Sequence, residues 1–351
     1  MNKLMAIFLA AVVSVTLTAC DPPMPESLRI AQAELQVQCE TGDVSVSLPE
    51  SIADLGFTWS DSVTYGCEDM TITAVDEFSE DANLVIGEES LIAARCEPFL
   101  TVPIAIDAAV LVVNIPDVYD IYLSADQVIS IFDGTITNWS DPALVENNEE
   151  LLLPDLQIVL PTSATVSSKQ ALSDWIARLA GKPLDLSNVA DAEGVTEVEL
   201  ATPLEEGAIS IASFSASEYM GSVRIGIVTE PGNYESIVIA DNSTIYAAKT
   251  QLISEVEGNG MKVSIDPSIE PTPEEGAFEA AKPYQAVYPV MLDLCGEDNP
   301  LIRTAARFLL RQDSQGVIAS VTMLPLPEDL RIQFIGLVVV GLPTPTPVEQ
   351  K

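Results

Sequence analysis

Carboxylates dominate the side chains of this chain that could do chemistry. The 351 residues include 53 Asp and Glu, 15 Lys and Arg, and no His, which gives a formal net charge of −38. Without His, the chain cannot form Ser-His-Asp or Cys-His nucleophilic systems or imidazole metal sites. With so few basic residues, it lacks the cationic surface that nucleic acid requires. We therefore expect no nucleic-acid partner and no catalysis of these classes.

Adjacent acidic residues are the remaining candidates for acid–base catalysis. Glu88-Glu89 and Glu205-Glu206 are such pairs, but an acidic composition produces neighbouring carboxylates by chance, and neither pair has a second group to work with. No segment has the spacing of an EF-hand calcium loop. We predict that the protein is not an enzyme and uses no cofactor or metal.

The composition nevertheless indicates a folded protein. Apolar residues make up 48% of the chain and charged residues only 19%, so the chain can bury a large core beneath an acidic surface. The length allows one large domain or two of medium size.

The N-terminus has the pattern of an export signal. Lys3 precedes an apolar stretch over residues 4–15, and small residues lead to Cys20. Leu17-Thr18-Ala19-Cys20 resembles the lipobox of bacterial lipoproteins, which implies cleavage before Cys20 and a lipid on that cysteine. An ordinary signal peptide with a chance cysteine is the alternative. We expect a lipoprotein signal peptide over 1–19, a Pro-rich linker over 20–27, and a protein anchored to the membrane in the periplasm or at the cell surface.

Four further cysteines remain in the exported chain. An even number on the oxidising side of a membrane favours two disulfides, although free buried thiols are the alternative. Three pairings are possible, and we favour Cys39–Cys67 and Cys96–Cys295, the second of which would join early and late parts of the chain. None of these cysteines has CxxC spacing, so neither thiol redox chemistry nor zinc binding is predicted.

Strand and helix patterns alternate along the chain, which predicts an α/β fold. The apolar run 102–115, interrupted by Asp107, predicts a strand buried on both faces. Ser124-Ala125-Asp126-Gln127 has the spacing of a capping box that starts a helix. A strand is predicted over 156–160, followed by a Ser/Thr-rich loop over 161–168 and a helix whose buried stripe includes Trp175.

The later part of the chain continues this alternation. Strands are predicted over 207–215, 223–228 and 288–294. Asn299-Pro300 opens a helix that should carry its basic residues, Arg303, Arg307 and Arg311, on the outer side. The Pro/Thr-rich residues 343–351 are predicted to form a disordered tail.

Several motifs then occur in a characteristic order. They are the strand ending in Asn114-Ile115-Pro116, the pattern Ile-Phe-x-Gly-x-Ile-x-x-Trp-x-Asp-Pro from Ile131 to Pro142, Gly207-Ala208-Ile209-Ser210, and Leu324-Pro325-Leu326-Pro327. Together they resemble the phosphate-binding proteins that serve bacterial ABC-type phosphate importers, over residues 82–330. The resemblance implies a two-lobe type II periplasmic-binding-protein fold with a ligand cleft between the α/β lobes.

The resemblance also implies an organisation and a function. Lobe I should comprise residues 28–109 and 285–342, and lobe II residues 110–284. The protein should be a monomeric, lipid-anchored solute-binding protein that binds phosphate or another small anion or polar solute and delivers it to an ABC permease. The alternative is a cell-envelope interaction lipoprotein that keeps the scaffold without capturing a solute.

The ligand-binding residues implied by the resemblance are Glu88, Ser163, Ser167 and Ser168. Asp107 is a further candidate, which could hydrogen-bond a ligand near the hinge at a position where the family usually has a small residue. Glu88 falls where the family has an Asp that accepts the hydrogen of phosphate, and the three serines fall in the second anion-binding loop. In that loop Thr162 and Ala164 replace the family's Arg and Asp, so we expect an altered anion site. Four of these residues also have a structural interpretation: a solvated Glu88, a structural Asp107 that is buried or ends a strand, and Ser167 and Ser168 as helix caps.

Overall fold

The computed structural model describes residues 39–77, 79, 81–88, 96–257, 260–340 and 342. The predicted signal peptide, Cys20, the linker and the tail lie outside the described residues. Within the described ranges, no helix has the length and apolar character needed to cross a bilayer.

Strands and helices alternate through most of the described chain, as the sequence predicts. The first half contains β1 (Gly42–Ser47), α1 (Ala53–Gly66), β2 (Met70–Val75), β3 (Leu84–Gly87), β4 (Pro98–Val113), β5 (Ile121–Ser124), α2 (Ala125–Phe132), α3 (Pro142–Val145), β6 (Ser163–Ala164) and α4 (Val166–Ala180). The second half contains β7 (Ala190–Asp191), α5 (Glu197–Leu200), β8 (Ile209–Ser213), α6 (Phe214–Met220), β9 (Val223–Val228), β10 (Ile237–Val238), α7 (Asn242–Lys249), β11 (Leu252–Glu257), β12 (Gly260–Ile265), β13 (Val287–Cys295), α8 (Pro300–Leu309), α9 (Gln312–Gly316), β14 (Leu324–Pro325) and α10 (Glu328–Val338).

The long strand β4 joins the two parts of the main sheet. The strand order is β10-β9-β4-β13-β3-β1-β2, with β8 and β14 also on β4 and β5 on β9. Up to Ala108, β4 pairs antiparallel with β13, and from Ala109 onward it pairs antiparallel with β8. A strand that changes partner in this way can run from one α/β lobe into the other, which agrees with the predicted two-lobe fold.

The interior of β4 confirms the predicted buried strand. All its residues from Val102 to Val113 are buried, including Asp107, because both faces of the strand are covered. An apolar side chain can occupy such a position without any hydrogen bond, whereas a buried carboxylate needs hydrogen-bond donors.

Helix α4 has well-defined ends and a firm anchor. Thr165 caps its first turn by accepting a hydrogen bond from the Ser168 amide, and Gly181 ends it in the left-handed conformation at φ 68°. The predicted stripe is buried at Leu172, Trp175 and Ile176, and the Trp175 ring lies 4.4 Å from that of Tyr284. The helix therefore holds the residues of its first turn in fixed positions.

Two other predicted helix starts are confirmed. Ser124 and Gln127 form the capping box of α2, with each side chain bonded to the backbone of the other residue. Asn299 caps α8 and Pro300 occupies its first position, where a missing amide hydrogen costs no intrahelical bond.

Three sequence predictions are wrong. Residues 156–160 form no strand and contribute only isolated bridges at Gln157 and Val159. The strand predicted over 207–215 ends at Ser213, because that residue caps α6 instead of extending the sheet. Arg311 is buried after the end of α8, where it stacks on Phe308 and pairs with Asp313.

Both favoured disulfides are present. Cys39–Cys67 fastens the chain before β1 to the end of α1, with a Cα–Cα distance of 5.5 Å. Cys96–Cys295 links the start of β4 to the end of β13 across 199 residues of sequence. Closing so long a loop removes much of the conformational freedom of the unfolded chain.

Candidate functional site

Glu88 lies at the centre of a buried pocket of hydrogen-bond donors. It follows β3 and is 1% exposed. Its Oε1 accepts hydrogen bonds from the Ser168 hydroxyl and the Tyr288 hydroxyl, each at 2.9 Å. Its Oε2 accepts from the Thr165 hydroxyl and from the Ser168 amide, the latter at 3.3 Å. Four neutral donors thus converge on one carboxylate.

The donors come from two elements that the sequence positions locally. Thr165 and Ser168 belong to the cap and first turn of α4, where backbone amides point out of the helix and the dipole is positive. Tyr288 lies on β13, which pairs with both β3 and β4. Glu88 therefore links the β3–β13 side of the sheet to the first turn of α4.

Asp107 lies on β4 immediately before the change of strand partner. Its Oδ1 accepts from the Ala108 amide at 2.7 Å and the Ser215 amide at 3.3 Å, and its Oδ2 accepts from the Ser215 hydroxyl at 2.5 Å. These bonds tie the crossing to the first turn of α6, so both oxygens have structural partners. A ligand contact by Asp107 stays a prediction.

Glu197 is a third buried acid near this pocket, and no pattern in the sequence predicted it. It lies at the start of α5, is 4% exposed and accepts a hydrogen bond from the Ser213 hydroxyl at 3.2 Å. Among the described residues, no Lys or Arg forms an ion pair with Glu88, Asp107 or Glu197. The pocket is therefore acidic and has no counter-cation in direct contact.

Burial shifts the titration of these groups toward their neutral forms. Loss of solvent raises the pKa of Glu88 to about 7, although the bonds from Thr165, Tyr288 and Ser168 lower it in part. Burial likewise raises the pKa of Asp107 to about 6 against the opposing bonds from Ser215. For Glu197, burial and then the charges of Glu88 and Asp107 raise the pKa well above its usual value. The cluster thus resists carrying three negative charges.

An open cleft of about 750 Å³ adjoins the pocket. It extends along α4, β12 and the first residues of β13, and its polar lining includes Ser167, Gln170, Arg178, Lys262, Gln285 and Tyr288. Because Tyr288 belongs to both, the pocket and the cleft share a wall. The cleft is large enough for a small organic solute.

Two basic side chains of the cleft lack direct polar contacts in the described part of the chain. Among the described residues, neither Arg178 nor Lys262 forms an ion pair or a hydrogen bond, whereas Arg224, for example, is paired with Glu218. Asp174 also lines the cleft and lies close enough to Arg178 to act on its charge. In so acidic a protein, these two cations offset part of the negative charge that an anion would meet in the cleft.

The structure brings together some of the predicted site residues and separates others. Ser168 contacts Glu88, while Ser167, on the same helical turn, lines the cleft. Ser163 lies in β6, which pairs with β7, and no described hydrogen bond links it to Glu88. The capping interpretation of Ser167 and Ser168 is wrong, because α4 begins at Val166 and its cap is Thr165.

Two residues of the pocket, Thr165 and Tyr288, and the nearby Glu197 were not predicted from the sequence. The spacing of Thr165 and Ser168 is that of a helix cap and would have identified Thr165. Tyr288 and Glu197 carry no such local signal. Tyr288 contacts Glu88 across 200 residues of sequence, a separation that no short motif spans, and, among the described residues, Glu197 is linked to the site only by the charges of Glu88 and Asp107.

Solved structures with the same fold are phosphate-binding proteins. One is a human phosphate binding apolipoprotein, 13% identical, which covers 83% of this chain and 93% of its own at a TM-score of 0.51. A high affinity periplasmic phosphate-binding protein bound with phosphate is 11% identical and covers 83% of this chain and 92% of its own, also at 0.51. The phosphate binding protein of Stenotrophomonas maltophilia is 13% identical and covers 84% and 94%, at 0.50. At such identities the similarity shows the fold alone.

The amino-acid sequence was also compared with curated proteins and with protein families. None of the curated proteins matches the chain. The model of the PBP superfamily domain matches residues 71–310, which is more than half of the chain and includes every pocket residue described above. With this match and the two-lobe fold, the chain belongs to the PBP superfamily.

Proposed function

We propose that the protein is a lipid-anchored extracytoplasmic solute-binding protein that resembles the phosphate-binding subunit of an ABC importer and has an altered anion site. The observation that carries the proposal is the cleft beside the Glu88 pocket, with its two unpaired cations. The solute is a small anion or polar molecule that contacts Arg178 and Lys262. An ABC permease is the partner, Cys20 carries the lipid, and the protein has no catalytic role.

The anion site differs from the one that the family resemblance implies. Thr162 is exposed and Ala164 is fully buried at the positions of the family's Arg and Asp. Charge-assisted hydrogen bonds contribute about 1.5–3 kcal/mol each, so the loss of several weakens phosphate binding by powers of ten. The solute therefore depends on the cleft cations and on neutral donors.

The proposed lobes are residues 28–109 with 285–342, and residues 110–284. The change of partner on β4 at Ala108–Ala109 and the start of β13 at Val287 support these boundaries. A two-lobe protein with two crossings can close on a solute by a hinge motion, and a permease can detect the closed form.

A second function has a specific observation in its favour. Glu88 already accepts hydrogen bonds from the donors that point into the pocket. A scaffold whose pocket is filled by its own side chain suits an envelope lipoprotein that interacts with other proteins and captures no solute.

Isothermal titration calorimetry of the purified mature protein separates the two functions. The titrants are inorganic phosphate, sulfate, citrate and glycerol 3-phosphate, at low and at physiological salt. Solute binding predicts saturable heat with at least one anion, weakened by salt and by Arg178→Gln and Lys262→Gln. Lys182→Gln is the control, because Lys182 is ion-paired to Asp126 at 2.9 Å and does not line the cleft. No heat and no thermal shift with any titrant would reject solute capture and leave the interaction function.

A further inference from the structure

The Glu88 pocket has the composition of a carboxylate-binding site. Glu88, Thr165 and Ser168 are each 1% exposed and Tyr288 is 4% exposed, so every bond in the pocket is shielded from water. The two oxygens of one carboxylate accept two bonds each from hydroxyl and amide groups. Hydrogen bonds to an ionised acceptor are roughly twice as strong as neutral ones, and burial strengthens them further.

The electrostatics of the pocket oppose two negative charges more strongly than one. The N-terminus of α4, a helix of 15 residues without acids in its first turn, provides a positive field. In addition to burial, the charge of Asp107 raises the pKa of Glu88, and the charges of Glu88 and Asp107 raise the pKa of Glu197, so the neighbouring acids oppose further negative charge. A monocarboxylate satisfies both conditions, whereas a dianion such as phosphate adds a charge next to two buried acids.

We propose that this pocket is a carboxylate-binding site whose occupant is the protein's own Glu88, which takes the place of a solute anion and clamps β3 and β13 to α4. The side chain is covalently tethered, so it competes with any free anion at a very high effective concentration. A solute anion then binds in the adjoining cleft and not in the pocket. The inference concerns a different set of donors from the proposed function and holds with or without a solute.

The test replaces the internal carboxylate by a free one. In Glu88→Ala the donors lose their acceptor, and we expect the variant to bind acetate and formate saturably by calorimetry and to gain thermal stability from them. The wild type should show neither effect at the same ionic strength. Adding Ser168→Ala to Glu88→Ala removes one bond to the bound charge and should weaken acetate binding about tenfold.

The control is Glu205→Ala, which removes an acid outside the pocket and should bind no acetate. Folded Glu88→Ala protein that binds neither acetate nor formate would overturn the proposal. If Glu88→Ala does not fold, the variant Glu88→Asp tests the proposal in its place. Its carboxylate is withdrawn by about 1.5 Å, so the Ser168 amide should exchange its hydrogen faster than in the wild type, and equal exchange rates would contradict the clamp.

The two proposals can fail separately. The proposed function is tested by solutes added to the wild-type protein, and the carboxylate pocket by acetate added to a variant. Acetate binding to Glu88→Ala without any wild-type ligand supports the clamp and rejects solute capture. If the wild type binds a solute but folded Glu88→Ala binds no acetate, solute capture is supported and the clamp is rejected.

Discussion

The Glu88 pocket and the adjoining cleft share the wall formed by Tyr288, yet they solve opposite electrostatic problems. The pocket holds a buried carboxylate with neutral donors and has two further acids nearby. The cleft is open to solvent and contains Arg178 and Lys262, which form no ion pair or hydrogen bond with the residues that the structure describes. A net charge of −38 therefore says little about the local charge of a site. Oriented dipoles stabilise charge where water is absent, and unpaired cations attract it where water is present.

The largest effect should come from the helix that serves both regions. Trp175→Ala removes a side chain that is 1% exposed and packs on Tyr284. We expect it to lower the free energy of unfolding by about 3–5 kcal/mol, because a core cavity replaces the indole ring. Urea denaturation measures this loss. Leu152→Ala, at a side chain 98% exposed, should change stability by less than about 0.5 kcal/mol, and equal effects would show that α4 is not anchored here.

The pH dependence of the free energy of unfolding reports on the pocket and not on the cleft. The pKa of Glu88 rises from 4.5 to about 7 on folding, so its folded form holds a proton more tightly than its unfolded form. The resulting stability is complete below pH 4.5 and is lost as pH rises to about 7, by on the order of 3 kcal/mol.

Glu88→Gln should remove this share of the pH dependence in denaturation curves measured between pH 4.5 and 8. Asp107, Glu197 and Tyr288 face the same site and remain in the variant. A residual fall in stability from the two acids is therefore expected. Identical pH profiles of wild type and variant would mean that Glu88 is not buried as described.

A single hydroxyl should distinguish two neighbouring serines of α4. Ser168→Ala removes the bond to Glu88 Oε1 and should cost about 2 kcal/mol at pH 8, where the carboxylate is ionised. It should also raise the pKa of Glu88, since that bond lowers it. Ser167→Ala, on the cleft side of the same turn, is the matched control and should have almost no effect on urea denaturation. Similar losses in both variants would argue against a pocket distinct from the cleft.

The smallest effect on stability should come from the cleft cations. Arg178→Gln and Lys262→Gln remove no ion pair among the described residues, so the thermal midpoint should stay the same while anion affinity falls. Differential scanning fluorimetry and calorimetry on the same samples compare the two quantities. A clear loss of thermal stability would reveal a structural role for these cations and weaken the assignment of the cleft.

Much of the fold could be predicted from short stretches of sequence. The buried run of β4, the cap of α2 and the stripe of α4 depend on residues within a few turns or one strand, so local patterns suffice. The segment 156–160 was wrongly predicted as a strand because an apolar run does not determine whether a neighbouring strand is present to pair with it.

The site could be predicted only in part. The family resemblance identified Glu88 and Ser168, and the structure joins them by a hydrogen bond. It did not indicate that Thr165 and Tyr288 complete the pocket, or that Glu197 lies nearby. A donor on β13 and an acceptor after β3 become neighbours only because the two strands pair.

By itself the sequence determined the acidic surface, the exclusion of His-based chemistry, the alternation of strands and helices, and the likeness to phosphate-binding proteins. These properties depend on composition and on local order, which the chain carries in any conformation. Only the tertiary structure decided that Glu88 is buried among four donors and that two unpaired cations line the adjoining cleft. Both depend on contacts between distant segments, and the burial that shifts the Glu88 pKa exists only once those segments pack.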